Sequence, residues 1–297
     1  MAHIGFVGLG HMGLPMAIRL INAGHQVTGF DLQADALEAL KKAGGSIASS
    51  LQALSSNKEV IITMLQTGQQ VKSVCLGSDG LFAIAPKNTL FIDCSSIDVQ
   101  SARELQNEAR SVHCLAVDAP VSGGVAGASQ GSLTIMVGGT EQAFDAAKDI
   151  LADMGKTIIH TGPAGSGQAA KICNNMILGI SMIAISEAFI LGEQLGLSPQ
   201  KLFEVVNHSS GQCWAMSHYV PLPGLLEKVP ANQDYQPGFT AAMMLKDLNL
   251  SQQSAKSVGL ETLMGEQATK IYQEFNDAGM SGLDFSAIIK ALYKDIH

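Results

Sequence analysis

The 297-residue sequence predicts an α/β fold in two parts, a doubly wound sheet followed by an all-α domain that opens on one long inter-domain helix. Three observations predict it. Short β-branched runs alternate with helical stretches through the first half, a glycine-rich turn follows the first of those runs, and strand signals stop after Gly167. Residues 4–7, 27–31, 60–64, 90–93 and 115–118 read as strands, and amphipathic spacing over 14–23, 34–43, 69–75 and 99–110 supplies helices between them. Alternation of this kind implies a parallel sheet covered on both faces. Residues 133–137 and 157–160 extend that sheet at its edge. From there the pattern is helical, over 168–195, 199–207, 240–258, 262–278 and 285–293. The boundary falls near 162–167 and divides the chain into 1–163 and 164–297. The irregular stretch 209–238 contains Pro221, Pro223, Pro230 and Pro237, which forbid a continuous helix. A loop this long is of the kind used to close a site.

Composition narrows the function. Hydrophobic residues make up 46% against 15% charged, as in a compact globular enzyme. A formal charge of −8 with no basic run argues against binding a phosphate backbone, so no nucleic-acid partner is expected. Cys75, Cys94, Cys114, Cys173 and Cys213 are odd in number and scattered, which points to reduced thiols and a cytoplasmic or matrix protein. The start lacks the charged flank of a signal peptide. Residues 176–191 are the only membrane candidate, but the run contains Glu187 and falls short of the ~20 apolar residues of a comfortable span. A helix buried between domains or subunits is expected instead, and such a helix commonly finds cover in a neighbouring subunit, here of a homodimer or homotetramer. No cluster of His, Cys or acidic residues has metal-ligand spacing.

Gly8-Leu9-Gly10-His11-Met12-Gly13 follows the first strand and opens a helix. In that setting the first glycine turns sharply, the second lets a pyrophosphate approach the backbone, and the third permits close helix–strand packing. The helix end supplies the anion site, so the first half reads as a Rossmann-type dinucleotide-binding domain. Asp31 ends the second strand, where a carboxylate accepts from ribose hydroxyls and repels a 2′-phosphate, which makes NAD the expected cofactor. Its alternative role is a turn or helix-cap residue before Ala34. Leu65-Gln66 and Ser95-Ser96 follow the third and fourth of these strands, at the carboxyl edge where ligands lie. Leu65, Gln66 and Ser96 are therefore expected cofactor contacts.

Asp118-Ala119-Pro120-Val121-Ser122-Gly123-Gly124 joins a strand end, a hydroxyl and two glycines. Backbone N–H groups at Gly123 and Gly124 with the Ser122 hydroxyl could hold a carboxylate, and the plainer reading is a Pro-Gly turn without a ligand. A glycine-rich, flexible entry at 162–167 then leads into a helix carrying Lys171, Asn174 and Asn175, with Lys171 and Asn175 at i and i+4 on one face. A cation at a helix N-terminus opposes the dipole, which points to a functional lysine aimed into a cleft, where desolvation makes its ammonium a readier proton donor.

The phosphate turn, the DAPVSGG segment, the G-x-x-G-x-G-x-x-x-K-x-x-x-N block and Lys246-Asp247-Leu248 together resemble the β-hydroxyacid dehydrogenase family, in order and over nearly the whole chain. The segments FDLQ, KICNNMILG, SSGQCWAMSHY and GLDFS carry the resemblance into one branch of it. The resemblance implies hydride transfer between NAD and a small 3-hydroxy acid. It implies Lys171 as the catalytic residue, Asn175 and Ser122-Gly123-Gly124 as holding the substrate with Asn174 beside them, and Lys246 near the cofactor. The sequence departs from the family after Leu248, where Asn249-Leu250-Ser251-Gln252-Gln253 lacks a later acid. Trp214, Tyr219 and Phe239 would line an apolar wall suited to a methyl-bearing substrate, or serve only as packing. Tartronate or succinic semialdehyde reductases share every motif, and a non-catalytic dinucleotide-binding scaffold is the rival from another class. Retention of Lys171 and Asn175 argues against the scaffold.

Overall fold

In the computed structural model, which describes residues 1–293, the first part of the chain forms nine strands: β1 (His3–Val7), β2 (Gln26–Phe30), β3 (Ser46–Ile47), β4 (Val60–Thr63), β5 (Leu90–Asp93), β6 (Leu115–Asp118), β7 (Val121–Ser122), β8 (Leu133–Gly138) and β9 (Gly155–Gly162). They order as β3-β2-β1-β4-β5-β6-β8-β7, with β9 paired to β8. From β3 to β6 every pairing is parallel. Between and around the strands lie α1 (Gly13–Asn22), α2 (Ala34–Lys42), α3 (Leu51–Ser55), α4 (Gly68–Cys75), α5 (Leu81–Ile84), α6 (Val99–Ser111), α7 (Gly124–Gln130) and α8 (Glu141–Ala152). Period-two burial builds both faces of the sheet. Ile4, Phe6, Ile62 and Ile92 pack with Met16 and Leu20 of α1 and Ala147 of α8. Their neighbours Val7, Ile61 and Phe91 pack on the other side with Val71 of α4 and Leu105 of α6.

The sheet departs from the expected all-parallel arrangement at one end. β8 runs antiparallel to β6 and β7 and parallel to β9. For β7 and β8 the reason is the connection between them, residues 123–132, which is shorter than the dozen residues or more that a parallel return needs. The expected elements also omit α8, a twelve-residue helix capped by the Thr140 hydroxyl, and the short elements α3, α5, α7, β3 and β7.

Two compact units divide at Lys171 and Ile172. Helix α9 (Ser166–Gln194) begins in the first and continues into the second, followed by α10 (Pro199–Asn207), α11 (Trp214–His218), α12 (Ala241–Ser257), α13 (Leu263–Phe275) and α14 (Ile289–Tyr293). Met182, Ile185 and Phe189 of α9 pack with Met244 and Leu248 of α12, Tyr272 and Phe275 of α13, and Phe285. Among the described residues α9 is the one helix long and apolar enough to cross a membrane by length and composition, and half of its most apolar window is buried inside the protein. At the departure after Leu248, the Gln252 carboxamide oxygen accepts from the Thr262 hydroxyl, which ties α12 to the start of α13 without an acid.

The stretch 209–238 is a packed loop and not an open one. It contains α11 and a 3₁₀ turn at Pro230–Gln233. The Asn232 side chain accepts from the Gly224 amide and donates to the carbonyls of Leu226 and Glu227. The buried Tyr235 donates its hydroxyl to the Pro221 carbonyl. Side-chain partners thus satisfy the backbone groups that the prolines keep out of a helix.

Candidate active site

The phosphate turn is built from glycines with separate duties. Gly8 leaves β1 at φ +91°, donates to the Phe30 carbonyl at 3.0 Å, and lies so close to the Met64 carbonyl that a Cβ would overlap it. Gly13 lies against the Gly8 carbonyl oxygen in the same way. Gly10 is different: its backbone is not left-handed, and a Cβ there would meet nothing within 4 Å. The protein itself does not require glycine at that position, and the space fits a pyrophosphate approaching the backbone. α1 starts beyond Met12 without a side-chain cap, which suits an anion. His11 is exposed, and Met12 is half-buried against the core.

Asp31 follows β2, and both its oxygens are engaged. Oδ2 accepts from the Leu9 amide at 2.6 Å and Oδ1 from the Gln33 amide at 2.8 Å. The carboxylate therefore shapes the turn into α2 and also holds the phosphate turn, with lone pairs left over for ribose hydroxyls. These residues fit NAD.

At the carboxyl edge the loops after β4 and β5 are tied together. The Leu65 amide donates to the Ser95 hydroxyl at 2.8 Å, and the Ser95 amide and the Thr63 hydroxyl both donate to Asp93 Oδ1. Asp93 Oδ2 is buried with no hydrogen-bond partner among the described residues. Burial pushes the Asp93 carboxyl up to about 6, opposed by the bonds from Ser95 and Thr63, with the nearby Asp118 carboxylate pushing the same way as burial. Gln66 is exposed, and its amide joins the Thr67–Gln70 capping box of α4. Ser96 is half-buried between Ser95 and Ile97.

The entry to α9 is a clamp and not the flexible linker that its glycines suggest. Buried Asp118 accepts from the Gly165 and Gln168 amides at 2.8 and 2.9 Å and from the Gln106 carboxamide at 2.6 Å. Burial raises its carboxyl, and these donors oppose the rise. An acid bound to the first free N–H groups complements the helix dipole. Gly167 leaves no room for a Cβ beside the Met136 carbonyl. One turn further on, the Lys171 ammonium, 8% exposed, donates to the Val121 carbonyl at 2.9 Å. This brings Lys171 to the residue before Ser122, Gly123 and Gly124, fifty positions away in the chain. Gly123 and Gly124 both have positive φ, +136° and +63°, and Gly124 faces open space. Val121–Ser122 is a strand paired with β8, so what reads as a turn rests on the sheet.

In the second unit a polar relay runs from the surface inward. The Asn174 carboxamide donates to Asn175 Oδ1, and the Asn175 carboxamide donates to Asp247 Oδ2. Asp247 can only accept, which fixes the direction of both amides. Asn175 is 2% exposed, whereas Asn174 faces outward. Lys246 lies on α12 with its ammonium 3.8 Å from Asp247. Trp214 opens α11 at 52% exposure and stacks on Tyr219, which stacks on Phe285. Tyr219 also donates to the buried Asp284, and Phe239 meets Phe285 edge-on, so these two aromatics belong to the packing. The sequence motifs include Asp118 and Asp247 without giving them a task, and Gln168 lies inside the lysine block at one of its unspecified positions. The bonds that give them one, to Gly165, Ser95 and Asn175, span 47–73 residues, out of reach of any local pattern.

The sheet order, the phosphate turn and Asp31 define a dinucleotide-binding α/β protein of the dehydrogenase kind. A family model described as the NAD binding domain of 6-phosphogluconate dehydrogenase matches residues 3–162, and one described as NAD-binding of NADP-dependent 3-hydroxyisobutyrate dehydrogenase matches 165–292. A probable 3-hydroxyisobutyrate dehydrogenase of Mycobacterium tuberculosis is 46% identical over 292 residues, covering 98% of each chain. An NAD-dependent L-serine dehydrogenase of Pseudomonas aeruginosa is 43% identical over 290 residues, covering 98% of this chain and 97% of the relative. The solved Mycobacterium tuberculosis 3-hydroxyisobutyrate dehydrogenase with L-serine superposes with a TM-score of 0.93 at 45% identity, covering 98% of this chain and 99% of that one. The chain belongs to the 3-hydroxyisobutyrate dehydrogenase family, oxidoreductases that bind NAD.

Proposed function

We propose that this chain oxidises 3-hydroxyisobutyrate to methylmalonate semialdehyde, a step of valine breakdown, with Lys171 moving the hydroxyl proton. The observation that carries the reading is the Lys171 ammonium bound to Val121 at the edge of the Ser122-Gly123-Gly124 turn. NAD, when bound, accepts the hydride from the alcohol carbon. The amine of Lys171 takes the hydroxyl proton in oxidation, and its ammonium returns that proton to the developing alkoxide in reduction. Ser122 with the Gly123 and Gly124 amides holds the substrate carboxylate. Asn175, oriented by Asp247, and Asn174 hold the substrate, Trp214 supplies an apolar wall, and Lys246 faces the cofactor. Gly8, Gly10, His11, Met12, Gly13, Leu65, Gln66 and Ser96 line the NAD side. Asp31 favours NAD over NADP, because its charge opposes a 2′-phosphate.

L-serine is the competing substrate, favoured by the Pseudomonas relative's name and by the ligand in the Mycobacterium structure. It is itself a 3-hydroxy acid, with an ammonium where 3-hydroxyisobutyrate has a methyl group. Relatives include bacterial and mitochondrial proteins. The five unpaired cysteines support a reducing compartment, here the cytoplasm, and exposed Ile177 and Leu191 on α9 support a homo-oligomer.

The test is turnover of 3-hydroxyisobutyrate, L-serine, glycerate and 4-hydroxybutyrate with NAD and with NADP, for the wild type, Lys171→Ala and Lys171→Arg. Both variants should bind NADH by fluorescence titration yet lose ~10²-fold or more in kcat, as for deletion of a general acid/base. Arginine fails because a guanidinium cannot accept the proton. Near wild-type kcat in either variant removes Lys171 from the chemistry.

A further inference from the structure

We propose that Gln168 is a positioning residue for Lys171, its buried carboxamide locking the lysine-bearing turn of α9 to the loop after β5. The proposal rests on the acid/base reading of Lys171. Gln168 is 0% exposed and uses each end of its amide: Nε2 donates to the Ser95 carbonyl at 2.7 Å, and Oε1 accepts from the Ile97 amide at 3.1 Å. The side chain thus spans the two peptide groups flanking Ser96, as a neighbouring strand would. Its own backbone N–H is held by Asp118. Ser95, on the other side, takes the Leu65 amide on its hydroxyl. Three segments therefore meet at one buried pair, Ser95 and Gln168: the loop after β4, the loop after β5, and the first turn of α9.

Gln168 and Lys171 are i and i+3, so they share a helix face, and a rotation of that turn displaces the ammonium. Asp118 fixes where the helix starts, and Gln168 fixes its rotation against the edge that carries Leu65 and Ser96. A misplacement of about 1 Å in a reacting group is enough to cost ~10²-fold in rate. Glutamine suits the task because the two peptide groups need one donor and one acceptor on a single short side chain. An ionised glutamate only accepts, and methionine has the length without a useful polar atom.

The experiment compares Gln168→Met and Gln168→Glu with the wild type, reading kcat, KM, NADH affinity and Tm between pH 6 and pH 8. The nearby acids are Asp118 on β6, which accepts from the backbone amide of residue 168, and Asp93 on β5, which accepts from the Ser95 amide, and both favour the protonated form of the carboxyl introduced in the Glu variant. Lys171 on its own helix and Arg103 on α6, which donates to the Ala164 carbonyl, oppose them. Gln168→Met should lose ~10-fold or more in kcat at every pH, with NADH affinity within about threefold. Gln168→Glu should show a comparable loss at pH 8 that shrinks toward pH 6, because a protonated carboxyl regains the donor for Ser95. Each variant is read against the wild type at the same pH, and Gln168→Met, which adds no titrating group, reports the pH dependence that the surrounding acids impose without the introduced carboxyl. A folded Gln168→Met within twofold of wild-type kcat overturns the proposal, as does a Gln168→Glu defect that does not change with pH. Failure of both variants to fold overturns it too, by assigning Gln168 to the fold. If Lys171→Ala keeps its kcat, the acid/base reading fails; if it loses kcat while the Gln168 variants do not, only the positioning role fails.

Discussion

The phosphate turn at residues 8–13 and the turn at 122–124 are both glycine turns, yet their glycines answer to different demands. In the first, Gly8 and Gly13 are required by the chain itself, because backbone carbonyls occupy the places a Cβ would take, and Gly10 alone faces open space. In the second, Gly123 combines φ +136° with the Leu133 side chain 3.1 Å from a Cβ, whereas Gly124 needs its left-handed backbone but meets nothing. Each turn is also bonded through its backbone to one charged side chain, and the signs are opposite. Asp31 accepts from Leu9 in the first, and Lys171 donates to Val121 in the second. On the proposed function, the carboxylate beside the phosphate turn meets the ribose hydroxyls of NAD, and the cation beside the second turn meets the hydroxy acid. Of these glycines, Gly10 is the one that neither φ nor packing explains.

The largest expected effect separates two glycines three residues apart. Gly13→Ala should destabilise the protein by about 3 kcal/mol or more, since the new methyl overlaps a backbone carbonyl that cannot move alone. Gly10→Ala should leave stability within about 1 kcal/mol and weaken NADH by ~10-fold or more. Thermal melts with NADH titrations decide it. Equal loss of stability in both variants would break the distinction between glycines kept for the fold and glycines kept for a ligand.

Next comes the second turn. Gly124→Ala should cost about 1–2 kcal/mol of left-handed strain and raise KM for the hydroxy acid while NADH affinity stays near wild type. Gly123→Ala should cost more, because contact with Leu133 adds to an unfavourable φ, and a larger residue such as valine at 123 would report on folding before it reported on substrate. The comparison inverts if Gly124→Ala raises Kd for NADH and leaves KM alone.

What the sequence made legible follows the range of the interactions. The phosphate turn, the strands from residue 4 to 118 and the i, i+4 pair Lys171–Asn175 rest on neighbours within a few positions, and local patterns capture them. The bonds by which Asp118 and Gln168 fix the start of α9 span 47–73 residues, so glycines at 162, 165 and 167 read as flexibility when Gly165 donates to Asp118 and Gly167 packs closely on Met136 and Asp118. In the stretch 209–238 the prolines exclude a continuous helix, as the sequence indicates, and the compactness comes from Asn232 and Tyr235, whose side-chain bonds no helical or strand pattern reveals. α8 is a plain miss, since Thr140 and the alternation through Ala143, Ala147 and Leu151 are local signals of a capped amphipathic helix.

The smallest effect tests the opposite signs of the two turns. Asp31→Asn keeps one oxygen, which can accept from Leu9 or from Gln33 but not from both at once, so a loss of about 1 kcal/mol in stability is expected. Removing the charge should act on the cofactor more than on the fold. A carboxylate within a few ångströms of a 2′-phosphate opposes it by about 1–2 kcal/mol in a partly solvated site, so the ratio of NAD to NADP efficiency should fall by ~10-fold. The fall should arise mainly from better use of NADP, with the KM for the hydroxy acid unchanged, because the hydrogen bonds of Asp31 among the described residues go to the Leu9 and Gln33 amides and not to the 122–124 turn. Raising the ionic strength should narrow the wild-type ratio in the same direction, since a half-buried carboxylate is partly screened. If the ratio stays where it was in Asp31→Asn, the carboxylate is serving the Leu9 and Gln33 amides alone and the cofactor preference comes from other residues.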